Sequence, residues 1–164
     1  AAGATVGASA FEGCALLSGF PSAISSAGER AFAGCAALKE ISFLARSPME
    51  GVSIAASAFD GCTSLSEVRA DTPVVQIDSF AFSGCTALSE FHIENSEGAP
   101  VRGGIGTSAF SGAESLSAYL YVDAAFGWEG KVAEFITVYV PADVREELLS
   151  EWLIGQDQLL ALPE

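Results

Sequence analysis

The chain has 164 residues and carries 21 acidic against 7 basic side chains, a formal net charge of −14 at neutral pH. That balance excludes nucleic acid as a partner and disfavours an anionic membrane surface, because binding phosphates needs Lys and Arg, whereas a basic partner fits it. Half the residues are hydrophobic and only 17% are charged, so the chain must hide much apolar surface, which argues against disorder. No apolar run reaches the roughly 18 residues of a membrane span, so membrane insertion is not expected. The length is that of one domain with a sizeable core. Residues 1–10 are small and largely apolar but lack the basic start of a signal peptide.

The first element is Ala10-Phe11-Glu12-Gly13-Cys14, followed by Leu17 and Phe20. It returns as Ala31-Phe32-Ala33-Gly34-Cys35 with Leu38 and Ile41, as Ala58-Phe59-Asp60-Gly61-Cys62 with Leu65 and Val68, and as Ala81-Phe82-Ser83-Gly84-Cys85 with Leu88 and Phe91. A fifth copy, Ala109-Phe110-Ser111-Gly112 with Leu116 and Tyr119, has Ala113 in place of Cys. Successive Phe residues lie 21, 27, 23 and 28 apart, the period of a solenoid whose repeats each bury an apolar face on the next. A small or branched apolar residue stands five before each Phe: Val6, Ala27, Ile54, Ile77 and Ile105. Phe is predicted to point into the stack, and Gly to supply a positive φ or a close approach where the turn ends.

From each Leu the pattern changes to alternation, as in Leu38-Lys39-Glu40-Ile41-Ser42-Phe43 and Leu88-Ser89-Glu90-Phe91-His92-Ile93. These read as short strands with one face buried. The residues nine and eleven after Phe are predicted to point inward: Ile41 and Phe43, Val68 and Ala70, Phe91 and Ile93, Tyr119 and Tyr121. Stacked repeats would pair these strands in parallel at roughly 4.8 Å. The first copy is weak, with Phe20 followed by Pro21, which suits an edge. Two inserts, 46–51 around Pro48 and Met49 and 95–100 together with Gly103-Gly104, read as loops on the same side. Past Leu120 the repeat decays, and Ala125-Phe126 lacks the Gly-Cys that should follow. Ile136-Thr137-Val138-Tyr139-Val140 is a strand candidate ended by Pro141. Val144, Leu148 and Trp152, with Leu149 and Leu153 beside them, predict an amphipathic helix over about 142–153. It would start at Pro141 or Asp143 and end at Gly155. The expected organisation is a solenoid over 1–140 and a helical cap over 141–164, since a repeat array needs an atypical unit to close its end.

The Ala-Phe-x-Gly-Cys-x-x-Leu-x-x-Ile/Val signature, spread over about residues 5–140, resembles the BspA-like leucine-rich repeat; all five copies keep Ala, Phe, Gly and Leu. The resemblance implies an α/β repeat solenoid: a leucine-rich-repeat-like, right-handed array of short parallel strands with little helix and a C-terminal capping strand and helix. It implies a secreted or surface-anchored bacterial protein, or a module of one, used for adhesion or protein–protein recognition through the strand-lined face. It brings no catalytic residues and no cofactor, because the motif is structural. The chain departs from the pattern at Ala113, in its uneven repeat lengths and in the shortness of the array, which suits a fragment of something larger.

Three constellations could carry chemistry. Cys14, Cys35, Cys62 and Cys85 are spaced by the repeat itself rather than as the close pairs of a zinc site. They read as a ladder of small buried thiols. Disulfides and a metal are the alternatives, and the parallel Cβ vectors expected on neighbouring rungs would strain a disulfide. His92, the one histidine, lies between inward Phe91 and Ile93. It should face solvent without the nucleophile and orienting group of a catalytic triad. The third constellation is the outward face of the strands. Eight residues after Phe stand Gly19, Glu40, Glu67, Glu90 and Ala118; ten after stand Pro21, Ser42, Arg69, His92 and Leu120. Stacked carboxylates with Asp71 and Glu94 beyond them are either a solvated face or an acidic strip for a basic segment of a partner. A bound Ca²⁺ is a lesser version of that strip.

The reading is a non-enzymatic recognition or adhesion module, with Glu40, Ser42, Glu67, Arg69, Glu90 and His92 as its candidate partner-binding residues. The partner would be a protein, basic or a host extracellular protein. The competing reading is a spacer or stalk unit of a larger bacterial surface protein.

Overall fold

The computed structural model describes residues 3–47, 50–96, 98, 101–130, 133, 136–152 and 154–162. Among these residues twelve short strands and one helix follow in order: β1 (Ala4–Val6), β2 (Ile24–Ala27), β3 (Glu40–Leu44), β4 (Val52–Ile54), β5 (Glu67–Asp71), β6 (Val74–Ile77), β7 (Glu90–Glu94), β8 (Arg102–Ile105), β9 (Ser117–Leu120), β10 (Gly127–Trp128), β11 (Thr137–Val140), α1 (Arg145–Glu151) and β12 (Leu159–Ala161). All named pairings are parallel. The result is a β-solenoid of about six turns with very little helix.

The strands form two rows, to both of which the middle turns contribute, whereas the first turn supplies only β1. One row runs β3-β5-β7-β9-β11-β12, and the other runs β10-β8-β6-β4-β2 with β1 on β2. They meet where Ile24 of β2 pairs Phe43 of β3 and at the bridge between Val101, just before β8, and Val122, just after β9. The first row is the alternating stretch after each Leu, and its alternation is why it forms. In β5, Val68 and Ala70 are buried while Arg69 is exposed, so one face goes to the core. The second row ends on the apolar column five before Phe: Val6, Ala27, Ile54, Ile77 and Ile105, all buried.

The Ala-Phe element is a tight turn closing each coil. Its Gly adopts φ 75°, 74°, 72°, 69° and 90° at Gly13, Gly34, Gly61, Gly84 and Gly112, as predicted. Two residues before Phe a non-glycine also takes φ near +55°: Ser9, Arg30, Ser57, Phe80 and Ser108. The cost is offset by a backbone ladder between turns. The Phe32 N–H donates to the Ala58 carbonyl at 2.7 Å, Phe59 to Ala81 at 2.7 Å and Phe82 to Ala109 at 2.8 Å. Inside, the rings of Phe11, Phe32, Phe59, Phe82 and Phe110 stack with centroids 5.0–5.5 Å apart.

Gly103-Gly104, read as loop, lies in β8 opposite Val75 and Gln76. A Cβ at Gly103 would strike the Val75 carbonyl oxygen, and φ there is 134°. The two glycines thus serve close strand approach rather than a loop. Pro48, Met49, Glu97, Ala99 and Pro100 of the predicted inserts lie outside the described residues, as does Leu153 of the predicted helix.

At the C-terminal end Trp128 continues the ring stack 5.8 Å from Phe110, and Trp152 lies 5.6 Å from Trp128. The Trp152 indole N–H donates to the Phe126 carbonyl at 2.9 Å. Phe126 is therefore a packing partner of α1, not the Phe of a sixth turn. The helix is shorter than predicted. Val144 is its N-cap without a side-chain bond, and Trp152, in extended conformation, ends it before Gly155. Swinging Trp152 inward to the core stops the helix. Beyond it β12 pairs with β11, and the Arg145 guanidinium ties α1 to the Leu159 and Gln156 carbonyls at 2.7 and 3.1 Å.

Candidate functional site

The row β3-β5-β7 carries all six predicted residues on its outward face, in register. Glu40 pairs Glu67, which pairs Glu90; Ser42 pairs Arg69, which pairs His92. A third outward column, Leu44, Asp71 and Glu94, runs beside them. Several of the carboxylates have partners. Arg69 is ion-paired with Glu67. His92 Nε2 lies 3.0 Å from Glu90 and its Nδ1 3.6 Å from Glu94. The Asp71 carboxylate accepts the Ser96 backbone N–H at 2.6 Å.

In β9 the sequence reading is overturned. Ser117, not Ala118, pairs Glu90, so Tyr119 stands beside His92 and Leu120 beside Ile93. Ala118 and Leu120 are buried, whereas Tyr119 faces outward and Tyr121 is 36% exposed. The cause is one missing residue. The strand starts two positions after Leu65 and Leu88 but one position after Leu116. A one-residue slip exchanges the two faces of a strand.

That slip builds a feature the sequence reading missed. The rings of His92, Tyr119 and Tyr139 stack with centroids 4.7 Å apart and planes within 7°. The spacing matches that of parallel strands. His92 is therefore not open to solvent as predicted: its side chain is 13% exposed, flanked by Tyr119 and two glutamates. The signal was in the sequence, because Ala118, Leu120 and Val122 alternate with Tyr119 and Tyr121 just as Val138 and Val140 flank Tyr139. Beside this ladder lies a groove of about 560 Å³ lined by Tyr119, Tyr121, His92, Glu94, Asn95 and Leu162 among others.

Glu67, Glu90 and His92 bring one ligand atom each within 4.8 Å of one another. Two carboxylates and an imidazole are too few oxygens for a Ca²⁺ cage, which takes 6–8, and Arg69 already neutralises Glu67.

The cysteine ladder stands, with one correction. Cys35, Cys62 and Cys85 are buried free thiols, but Cys14 is exposed. Each buried Sγ donates to the Phe carbonyl of the preceding turn: Cys35 to Phe11 at 3.1 Å, Cys62 to Phe32 at 3.1 Å and Cys85 to Phe59 at 3.2 Å. Cys14 sits in the first copy, with no described turn before it. Burial pushes the Cys35 thiol up to about 11, and a hydrogen bond with Cys62 together with burial raises Cys85 as well.

The architecture defines a class: a parallel β-solenoid of leucine-bearing repeats whose outward strand row is a continuous surface. A family model, the BspA type leucine rich repeat region, matches residues 4–122 in six copies, one more than the Ala-Phe signature counts. The chain belongs to the BspA-type leucine-rich repeat family. No curated protein and no solved structure matches it. Membership points to a protein-binding or surface repeat module of a typically non-catalytic fold. None of the helices among the described residues is long and apolar enough to cross a membrane.

Proposed function

We propose that the chain is a non-enzymatic recognition module of a bacterial surface or secreted protein, and that it binds a protein partner through the outward row of β3, β5, β7, β9 and β11. The observation that carries this is the row itself. Glu40, Ser42, Glu67, Arg69, Glu90 and His92 stand in register, and the row continues into the stacked rings of Tyr119 and Tyr139. Such a surface offers acidic groups for steering a basic partner and aromatic groups of the kind that dominate contact energy.

The test is a binding screen of the purified chain against basic and extracellular-matrix-type proteins at low and high salt, alongside a Glu40→Gln, Glu67→Gln, Glu90→Gln triple variant. Salt-sensitive binding that the variant loses is the expected result. Binding to none of them, with the fold intact, favours the spacer reading. The internal pairing of Arg69 with Glu67 and of His92 with Glu90 gives that reading its support, because paired groups have less to offer a partner.

A further inference from the structure

Resting on the strand-face reading, we infer that the groove beside Tyr121 is a seat for an arginine side chain presented by a basic, extended segment of the partner. In the ring ladder of His92, Tyr119 and Tyr139 each face that meets a neighbour is already covered. Tyr121 joins no ring stack among the described residues and is the one exposed tyrosine of the row, at 36%. Its ring is held in place: the backbone N–H donates to the Ile93 carbonyl at 2.9 Å, and the hydroxyl donates to the Gly98 carbonyl at 3.4 Å. The first of these bonds sets Tyr121 next to Glu94, whose side chain is 61% exposed.

The groove thus combines an aromatic face, a solvent-exposed carboxylate and an apolar wall at Leu162, and among the described residues no Lys or Arg lines it. Those are the three things a guanidinium on an aliphatic stem can use together. It stacks on the ring, pairs with the carboxylate in a fork and lays its methylenes on the apolar wall. Arg69 does not fill the place, since it is ion-paired with Glu67 on the far side of His92 and is not among the lining residues. Charge complementarity selects the occupant. Glu94 lines the groove and Asp71 is its register neighbour on β5, on a chain of net charge −14. A planar cation is favoured over a compact one because only it stacks and forks at once.

The probe is a capped pentapeptide with arginine between two leucines, compared with its lysine and citrulline counterparts by amide chemical-shift titration of the isotope-labelled chain. The arginine peptide should shift the amides of Glu94, Tyr121 and Leu162 and bind roughly tenfold tighter than the citrulline peptide, the scale of a partly desolvated cation–π contact. Tyr121→Ala and Glu94→Gln should each weaken it by roughly a similar factor, and Tyr121→Phe should retain most of it. Equal binding of the citrulline or lysine peptide, shifts confined to another part of the surface, or no binding by a folded chain would overturn the assignment. A protein partner that binds the row while the peptide does not would sink this inference and leave the recognition reading standing. Failure of every partner in the screen removes the recognition reading, whatever the peptide does.

Discussion

A methyl group added at Gly103 would run into the Val75 carbonyl oxygen from a backbone already at φ 134°. The obstacle is the Val75 backbone, not a flexible side chain that can move aside. Gly103→Ala should therefore cost at least the roughly 1–3 kcal/mol of a strained backbone, read as a lower denaturation midpoint. Gly104→Ala is the control, since its new Cβ would meet the Gly127 carbonyl oxygen at 3.2 Å without a positive φ, and it should cost less. The thiols give a second residue-scale prediction. In the native chain a thiol reagent should modify Cys14 quickly and Cys35, Cys62 and Cys85 only on unfolding, because burial keeps the reagent from their sulfurs. Three or four fast thiols would refute the ladder. The same burial sets a pH dependence. Cys35 is raised from 9.0 to about 11, so the folded state holds this proton more tightly than the unfolded state does. Its contribution is complete below pH 9.0 and is lost as pH rises towards 11. Cys35→Ala should flatten the decline in stability over that window, a difference visible in parallel alkaline melts.

At the scale of elements, the ring column behaves as a ladder whose rungs differ by position. Phe59 is buried between Phe32 and Phe82, and Phe43 meets it edge-on. Phe11 is half-buried, with Phe32 on one face and Phe20 at its edge. Phe59→Ala should cost about 3–5 kcal/mol and Phe11→Ala clearly less; equal losses in urea melts would mean that the first turn is packed as fully as the third. This column and the outward register of β3, β5 and β7 were legible in the sequence. A fixed period places identical residues in identical surroundings, and alternation assigns faces. The second row of strands was present only as the apolar residue five before Phe. Strands of three or four residues leave too little alternation to read, and Gly103-Gly104 carries turn composition in a strand. The slip in β9 escaped because counting from Phe hides a residue lost after Leu116, and Tyr suits either face. Thus the acidic part of the candidate surface was legible, while its aromatic part was misread, because the count from Phe overrode the alternation of Ala118, Leu120 and Val122 with Tyr119 and Tyr121. β12 was invisible for a different reason: its pairing with β11 is made through the intervening α1, not by any repeat.

For the whole molecule, stability in a solenoid is a sum of repeat terms and nearest-neighbour interfaces, so the two ends decide how it opens. The ends here are unlike. The first turn leaves Leu16 93% exposed and Cys14 open. The last turn is covered by Trp128 and Trp152, and α1 is tied through Arg145 to β12. Opening should therefore begin at β1 and β2 and spread towards the middle. In native-state hydrogen exchange the amides of β5 and β7 should be the slowest, those of β9 and β11 intermediate and those of β1 the fastest. Trp152→Ala removes the ring that meets both Phe126 and Trp128 and the indole bond to the Phe126 carbonyl. It should cost about 3–5 kcal/mol where the packing is lost, but the loss should be local. Exchange at β11, β12 and β10 should accelerate most, β9 and β8 less, and β3 and β4 hardly at all. A uniform acceleration across every strand would mean that the solenoid unfolds as one cooperative block, and that its ends do not control its opening.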